Sequence, residues 1–245
     1  SYIVMTAEDG LFADKLTDDF ISSASVDDRL YAIPFTSTQA GAWVYNKKVY
    51  ADPGLEVPHP WAAPMANCEK SKEAGKTPII GSYKDDWTSQ LIFLADQYNI
   101  NAAAPTFPAD YTANQAKYAT TPAALRSFEK LAEANQYLNA DYLATTYDVA
   151  IDMLVEGDGA HWPILTQALS NIYALYPDEI EHIGVFGQPG DDAENHGLTV
   201  WMPSGWYVYK NTPNADTVRD FLTYYISQDA MDLYSSIVKP DGPYA

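Results

Sequence analysis

The sequence predicts an α/β fold whose elements fall into two groups, joined by two polar segments that contain proline. Short apolar runs alternate along the chain with segments of helical periodicity, and this order is typical of α/β proteins. The joining segments are residues 34–39 and 187–192, where proline lies beside small or polar residues. Hydrophobic residues make up 47% of the 245 residues, so a chain of this length can bury a substantial core.

Seven apolar runs have the length and composition of β-strands. They are residues 31–35, 42–45, 77–80, 160–165, 181–186, 198–201 and 206–209. Pro34 interrupts the first run. A polar turn at residues 27–29 leads into it.

Helices are predicted between these strands. One covers residues 61–74, with Pro64 in its first turn and a stop at Gly75. Residues 87–98 carry apolar side chains at i, i+3, i+4 and i+7, which predicts a single helix. Further helical sequence lies at residues 215–237 and between residues 165 and 181.

Two more helices are defined by their first residues. Pro122 opens a helix in which Leu125, Phe128 and Leu131 lie on one side. Thr146 is the predicted N-cap of a helix that ends near Gly157. If both joining segments cross between the same two bodies, residues 36–187 form one lobe, and residues 1–35 with 188–245 form the other.

Charge and composition exclude several classes of function. The chain has 14 Lys and Arg against 33 Asp and Glu, a formal net charge of −19, which argues against binding to nucleic acid or to anionic membranes. No apolar run approaches the roughly 20 residues of a membrane span, and no secretion signal is recognisable. The 19 Tyr and 6 Trp favour a surface that stacks on neutral, hydroxyl-rich ligands.

Motifs for catalysis or metal binding are weak. Cys68 is the only cysteine, and no two histidines have the i, i+4 spacing of a helical metal site. We therefore predict neither a metal nor a cofactor. The pairs Asp85–Asp86 and Asp191–Asp192 leave open a secreted hydrolase that acts on carbohydrate with two carboxylates.

Several short motifs, taken in order, resemble the sugar-type extracellular solute-binding proteins of ABC transporters. They are YAIP at residues 31–34, VYNK at 44–47, PHPW at 58–61, GKTPI at 75–79, VEGDGA at 155–160 and the segment 211–222. His161 departs from the methionine that is usual after the fifth motif. The order and spacing of the set make the resemblance specific.

The resemblance implies a type II, two-lobed clamp like that of periplasmic binding proteins, with a sugar cleft between the lobes. It implies a monomeric, extracytoplasmic receptor, free or lipid-anchored, that passes a mono- or oligosaccharide to a membrane permease and catalyses nothing. Relatives begin before the part seen here and continue beyond it, so the chain is expected to be a fragment lacking part of the first lobe and the C-terminal helices. Residues 36–187 are expected to move as one body about the two joining segments.

The resemblance to the maltodextrin-binding members also indicates ligand-binding residues. By position, Asp85 accepts hydrogen bonds from sugar hydroxyls and Trp87 is the stacking platform, with helix capping and core packing as the alternatives. The stacking aromatic of those relatives falls at Gln167. Gln39 lies where relatives present a polar cleft residue, or is simply a loop residue.

Three further tryptophans are candidates for the cleft. Trp162 lies on a predicted strand, where a packing role is favoured. Trp201 and Trp206 lie on either side of the turn at residues 203–205. Each of these two is equally compatible with lining the cleft and with half-buried packing.

Overall fold

The computed structural model describes residues 15–34, 38–51, 54–195, 197–202 and 204–238. These residues separate into two compact units. The central unit is Ala40–Thr199, and the flanking unit combines the described residues up to Gln39 with those from Val200 onward. The sequence predicted that one lobe begins at residue 36 and ends at residue 187. The observed central unit begins four residues later and ends twelve residues later.

The segment after residue 187 stays with the central unit because its polar groups are bonded there. The Trp43 indole Nε1 donates to Gln188 Oε1 at 2.7 Å. Farther along, Thr199 Oγ1 accepts from the Tyr98 backbone N–H at 3.1 Å. Residues 35–37, at the centre of the other predicted joint, lie outside the described residues.

Each of the seven predicted strands has a counterpart among the described residues. The strands are β1 (Ser25–Val26), β2 (Arg29–Leu30), β3 (Ile33–Pro34), β4 (Gln39–Asn46), β5 (Thr77–Ile79), β6 (Gly159–Leu165), β7 (Ile183–Gly187), β8 (Val200–Trp201) and β9 (Gly205–Trp206). In the flanking unit β1 pairs with β2, and β3 pairs with β9, both antiparallel. The β1–β2 hairpin was predicted only as a turn. Asp27 and Asp28 take positive φ there, as two-residue hairpin turns require.

The central unit is built on a mixed sheet. Its strand order is β5-β6-β4-β7. β5 runs parallel to β6, whereas β4 runs antiparallel to both β6 and β7. Consequently β5, β6 and β7 all point the same way, and β4 runs against them.

Helices cover this sheet and complete the flanking unit. They are α1 (Asp18–Ala24), α2 (Lys47–Ala51), α3 (Ala62–Glu73), α4 (Leu91–Ala95), α5 (Gln97–Ala103), α6 (Phe107–Thr112), α7 (Pro122–Ala134), α8 (Tyr147–Val155), α9 (Ala168–Leu175), α10 (Ala215–Tyr225) and α11 (Gln228–Ile237). Thr146 caps α8 as predicted, since its Oγ1 accepts from the Val149 N–H at 3.2 Å. In the described parts of the chain, no helix is both long and apolar enough to cross a membrane.

The prediction of one continuous helix over residues 87–98 is wrong. The segment forms a 3-10 turn at Asp86–Gln90, then α4, and then α5. Asp96 separates the two helices, because its carboxylate is buried and accepts hydrogen bonds from Asn99 and Lys130, each at 2.8 Å. Residues 215–237 are likewise divided, where Ser227 caps α11.

Both faces of the central sheet are buried. Trp43, Ile79 and Phe186 share one core cluster with residues of α3 and α7. Val44, Trp162 and Ile164 share the other with residues of α8 and α9. This alternation along β4 and β6 is the period-two pattern of strands covered on both sides.

Candidate functional site

Four strand ends meet at one edge of the central sheet, which we call the carboxyl edge. β5, β6 and β7 end there, and β4 begins there, as the pairs Gly41–Leu165 and Ala42–Gly187 show. Ligands of open α/β sheets bind outside the carboxyl ends of strands. The candidates from the central unit that follow these strands, together with the first residue of β4, are Asp85, Trp87, Gln167 and Gln39.

Asp85 joins the segment after β5 to the start of α8. Its Oδ2 accepts a hydrogen bond from the Tyr147 backbone N–H at 2.6 Å, and Tyr147 is the first residue of α8. A carboxylate is stabilised there by the free N–H groups and the dipole of the helix. Asp85 thus caps α8 and makes no side-chain cap on the 3-10 turn that follows it.

Trp87 is half-buried and packs against the core cluster beneath it. Its ring centroid lies 5.8 Å from that of Tyr147, with the two planes 33° apart. Part of the indole therefore supports the fold while another part remains accessible at the carboxyl edge.

Tyr147 was not among the residues chosen from the sequence. Its ring lies between Trp87 and Trp162, 4.9 Å from the latter, and its hydroxyl donates to Asn171 Oδ1 at 2.9 Å. Burial raises the pKa of this hydroxyl, so it stays protonated and can donate. The sequence did contain one signal for this residue. The predicted N-cap at Thr146 means that Tyr147 is the first residue of a helix.

Of the two glutamine candidates, one begins a strand and the other follows the neighbouring strand. Gln39 is the first residue of β4 and only 6% exposed, so it belongs to a strand and not to a loop. Gln167 immediately precedes α9 and is partly exposed. Between them, the Ala40 N–H donates to Thr166 Oγ1 at 3.1 Å, which holds the start of β4 against the end of β6.

Trp162 is a core residue, in agreement with the packing role that the sequence favoured. It is 1% exposed, and its Nε1 donates to Ser82 Oγ at 3.2 Å. In this structure it presents no surface to a ligand. The sequence could not separate Trp87 from Trp162, because burial depends on which helices cover each ring.

The other two tryptophans belong to the flanking unit. Trp201 in β8 is partly buried. Trp206 in β9 is 40% exposed, and its ring meets those of Phe221 and Tyr225 edge-on at 6.2 and 6.0 Å. Trp206 therefore packs on one side of α10 and keeps a large accessible surface.

A network of charges holds the segment after β7 in place. Arg126 on α7 donates to both carboxylate oxygens of Asp191, at 3.0 and 2.9 Å, and to Glu133 at 2.6 Å. Hydrogen bonds from Arg126 lower the pKa of Asp191. Next to it, Lys130 and Asp96 form an ion pair at 2.8 Å, with both side chains 1% exposed.

The buried imidazole of His161 is structural. Its Nδ1 lies 2.8 Å from the Pro78 carbonyl oxygen, which can only accept, so Nδ1 carries the proton. Its Nε2 therefore accepts from the Tyr50 hydroxyl, 2.5 Å away. Burial lowers the pKa of His161 to about 4, which keeps the ring neutral. Within the described residues, no three His, Cys, Asp or Glu side chains are grouped to hold a metal ion.

We compared the chain with known protein families, curated sequences and solved structures. Residues 4–232 match the family model of the bacterial extracellular solute-binding proteins. A search of curated protein sequences found no match.

Solved structures similar to this chain include a chitin oligosaccharide binding protein, with a TM-score of 0.80 and 19% identity. RafE in complex with raffinose aligns with a TM-score of 0.76 and 20% identity; its apo form is from Streptococcus pneumoniae. A Bacillus licheniformis sugar transporter protein in complex with stachyose aligns at 0.70 and 14%.

These alignments cover 100%, 99% and 100% of this chain, and 62%, 63% and 63% of the respective structures. The chain therefore spans somewhat less than two thirds of their length. The type II α/β fold predicted from the sequence is confirmed.

Proposed function

Because the chain belongs to the family of bacterial extracellular solute-binding proteins, we propose that it binds a sugar outside the cytoplasm and delivers it to an ABC transporter permease. Structural relatives were solved with raffinose and with stachyose, which supports a mono- or oligosaccharide as the ligand. The acidic charge of the chain is compatible with a neutral ligand and unfavourable for an anionic one.

The observation that carries this proposal is the arrangement of Asp85, Trp87 and Tyr147 at the carboxyl edge. The accessible part of the Trp87 indole can cover the C–H face of a pyranose. One oxygen of Asp85 accepts a hydrogen bond from the N-terminus of α8, and an ionised carboxylate can accept further hydrogen bonds. A sugar hydroxyl that donates to Asp85 would therefore lie beside the stacking surface.

Gln39 and Gln167 extend the polar part of the same edge. Side-chain amides can donate to and accept from hydroxyl groups. We propose that both contact the ligand. Trp201 and Trp206 of the flanking unit are proposed to complete the site when the lobes close around the sugar by hinge motion.

The protein would act as a receptor without catalysis. One member of each adjacent carboxylate pair that left a hydrolase open is bonded within the protein, since Asp85 accepts from the Tyr147 N–H and Asp191 is paired with Arg126. Hydrolysis needs one protonatable and one free carboxylate on either side of the glycosidic bond.

Incubation with raffinose, stachyose and chitin oligosaccharides tests the proposal. A receptor should show a saturable rise in melting temperature, since a ligand that binds only the folded state stabilises it. Chromatography of the same mixtures should recover the sugars unchanged. Accumulation of shorter sugars would support the hydrolase instead.

A further inference from the structure

Asp85 lies at the end of a ladder of hydrogen bonds that joins residues 81–85 to residues 139–147. Four bonds follow the same order along both segments. They are Gly81 N–H to Asn139 Oδ1 (2.8 Å), Tyr83 N–H to the Tyr142 carbonyl oxygen (2.9 Å), Lys84 N–H to the Thr145 carbonyl oxygen (3.2 Å) and Tyr147 N–H to Asp85 Oδ2 (2.6 Å). The last bond orients the Asp85 carboxylate, so the placement of residues 139–147 decides where this carboxylate points.

We propose that Asn139 is a positioning residue for the ligand site. It holds residues 139–147 so that Asp85 presents its second carboxylate oxygen, Oδ1, to a sugar hydroxyl. Asn139 acts without touching the sugar, since it is only 7% exposed. The inference rests on the proposed function for the identity of the ligand.

The side-chain amide of Asn139 is fully engaged. Its Oδ1 faces the Gly81 N–H, which can only donate, so the orientation of the amide is fixed. Both N–H groups of Nδ2 then donate, one to Asp141 Oδ1 at 2.8 Å and the other to Thr145 Oγ1 at 2.9 Å. One side chain therefore ties the chain just beyond β5 to two points of the neighbouring segment.

The neighbouring segment depends on such side-chain bonds. Residues 139–146 belong to no helix or strand, so no regular ladder of backbone bonds fixes their position. Thr145 is 2% exposed, and its Oγ1 accepts from Asn139 and donates to the Asp141 carbonyl oxygen at 3.1 Å. Only two peptide units separate Thr145 from the Tyr147 N–H, so the path from Asn139 to the Asp85 carboxylate is short.

A different set of bonds holds the backbone of Asp85. Its N–H donates to the Ser82 carbonyl oxygen at 3.1 Å. Thr88 Oγ1 donates to the same oxygen at 2.8 Å, and the side chains of Ser82 and Thr88 are both buried. A change at Asn139 should therefore redirect the Asp85 carboxylate without displacing the 3-10 turn that carries Trp87.

The first test needs no ligand. Hydrogen exchange, followed by NMR on the ¹⁵N-labelled protein, reports whether the Tyr147 N–H is still bonded to Asp85. In Asn139→Ala this amide should exchange about tenfold faster, because the bond is made less often. The amides of β4 and β6 are the internal reference and should exchange as before.

Two further variants complete this test. Thr145→Val removes one link in the path and keeps the shape of the side chain, so it should give the same acceleration even if Asn139→Ala does not fold. Asn101→Ala is the matched control. It removes an exposed asparagine on α5 that bonds to Gln97, and it should leave the exchange of the Tyr147 amide unchanged.

The second test is a double-mutant cycle on sugar affinity, measured by calorimetric titration with raffinose, stachyose and chitin oligosaccharides. Asn139→Ala should weaken binding by about tenfold in the unmodified protein, but by less than about threefold once Asp85→Asn is present. A general loss of structure would weaken binding equally in both backgrounds.

Either test can overturn the inference. Unchanged exchange of the Tyr147 amide in both Asn139→Ala and Thr145→Val would do so, and so would an equal loss of affinity with and without Asp85→Asn. If none of these sugars binds the unmodified protein, the proposed function is contradicted instead. The exchange experiment would still decide whether Asn139 positions Asp85.

Discussion

Two aspartates eleven positions apart show how differently this fold uses a carboxylate. Asp96 lies between α4 and α5, and is 1% exposed and paired with Lys130. Asp85 lies at the carboxyl edge, is partly exposed, and bonds to a single backbone N–H group among the described residues. The first is enclosed by partners, and the second keeps capacity for a ligand.

The difference separates structural from functional polar groups. A buried charge is tolerated only when its partners replace the lost hydration, and Asp96 receives bonds from Lys130 and Asn99. A carboxylate that meets solvent needs no such set, so its free lone pairs can exchange water for sugar hydroxyls. Substitutions at the Asp96–Lys130 pair should therefore lower stability, whereas substitutions around Asp85 should lower affinity for the ligand.

The largest effect is expected from Lys130→Met. Removal of one partner leaves Asp96 buried without its counter-charge, which should lower the free energy of unfolding by about 3–5 kcal/mol. Urea denaturation measures this loss. Lys72→Met, an exposed lysine on α3, serves as the control and should change stability little. A loss below about 1 kcal/mol in Lys130→Met would show that the pair is not enclosed as described.

The next effect is a pH dependence from His161. Its pKa is about 4 in the folded state, against 6.5 for an unperturbed histidine. Between these values the unfolded chain binds a proton that the folded protein does not. Stability should therefore be fully present above pH 6.5 and fall by about 3 kcal/mol as the pH drops to 4.

Comparison with His161→Gln isolates this contribution from those of the other titrating groups. The difference in unfolding free energy between the two proteins should shrink steadily from pH 7 to pH 4. A constant difference across that range would mean that His161 titrates normally.

At the carboxyl edge, Trp87→Ala should weaken sugar binding more than it weakens the fold. Loss of a stacked aromatic costs about 2 kcal/mol of binding energy, or about 30-fold in affinity. Calorimetric titration alongside urea denaturation measures both quantities. Trp162→Ala is the matched comparison, and should cost about 3–5 kcal/mol of stability. Unchanged affinity with a large stability loss in Trp87→Ala would assign this residue to the core.

The smallest effect is expected from Asp85→Asn. The amide oxygen can still accept from the Tyr147 N–H, but a neutral acceptor binds hydroxyls less strongly than a charged one. Affinity should fall by about tenfold, with a stability loss near 1 kcal/mol from the weakened helix cap. Asp86→Asn, at an exposed neighbour, provides the control. Equal affinity in the two variants would exclude Asp85 from the ligand contact.

The sequence by itself determined the α/β class, the approximate strands and the cap at Thr146, because these depend on local periodicity and on short-range hydrogen bonds. The family motifs also directed attention to Asp85 and Trp87. Tyr147 was not found, since the cap at Thr146 marks a helix start but does not show which rings the next side chain contacts.

Only the tertiary structure decided which surfaces are covered. On α7 the apolar residues Leu125 and Phe128 are about 40% exposed, while Lys130 is buried. Periodicity shows which residues share a helix face, but the packing of other elements decides whether that face meets solvent. The same reason applies to the break at Asp96 and to the different burial of Trp87 and Trp162. Each depends on partners distant in sequence, and no local pattern encodes them.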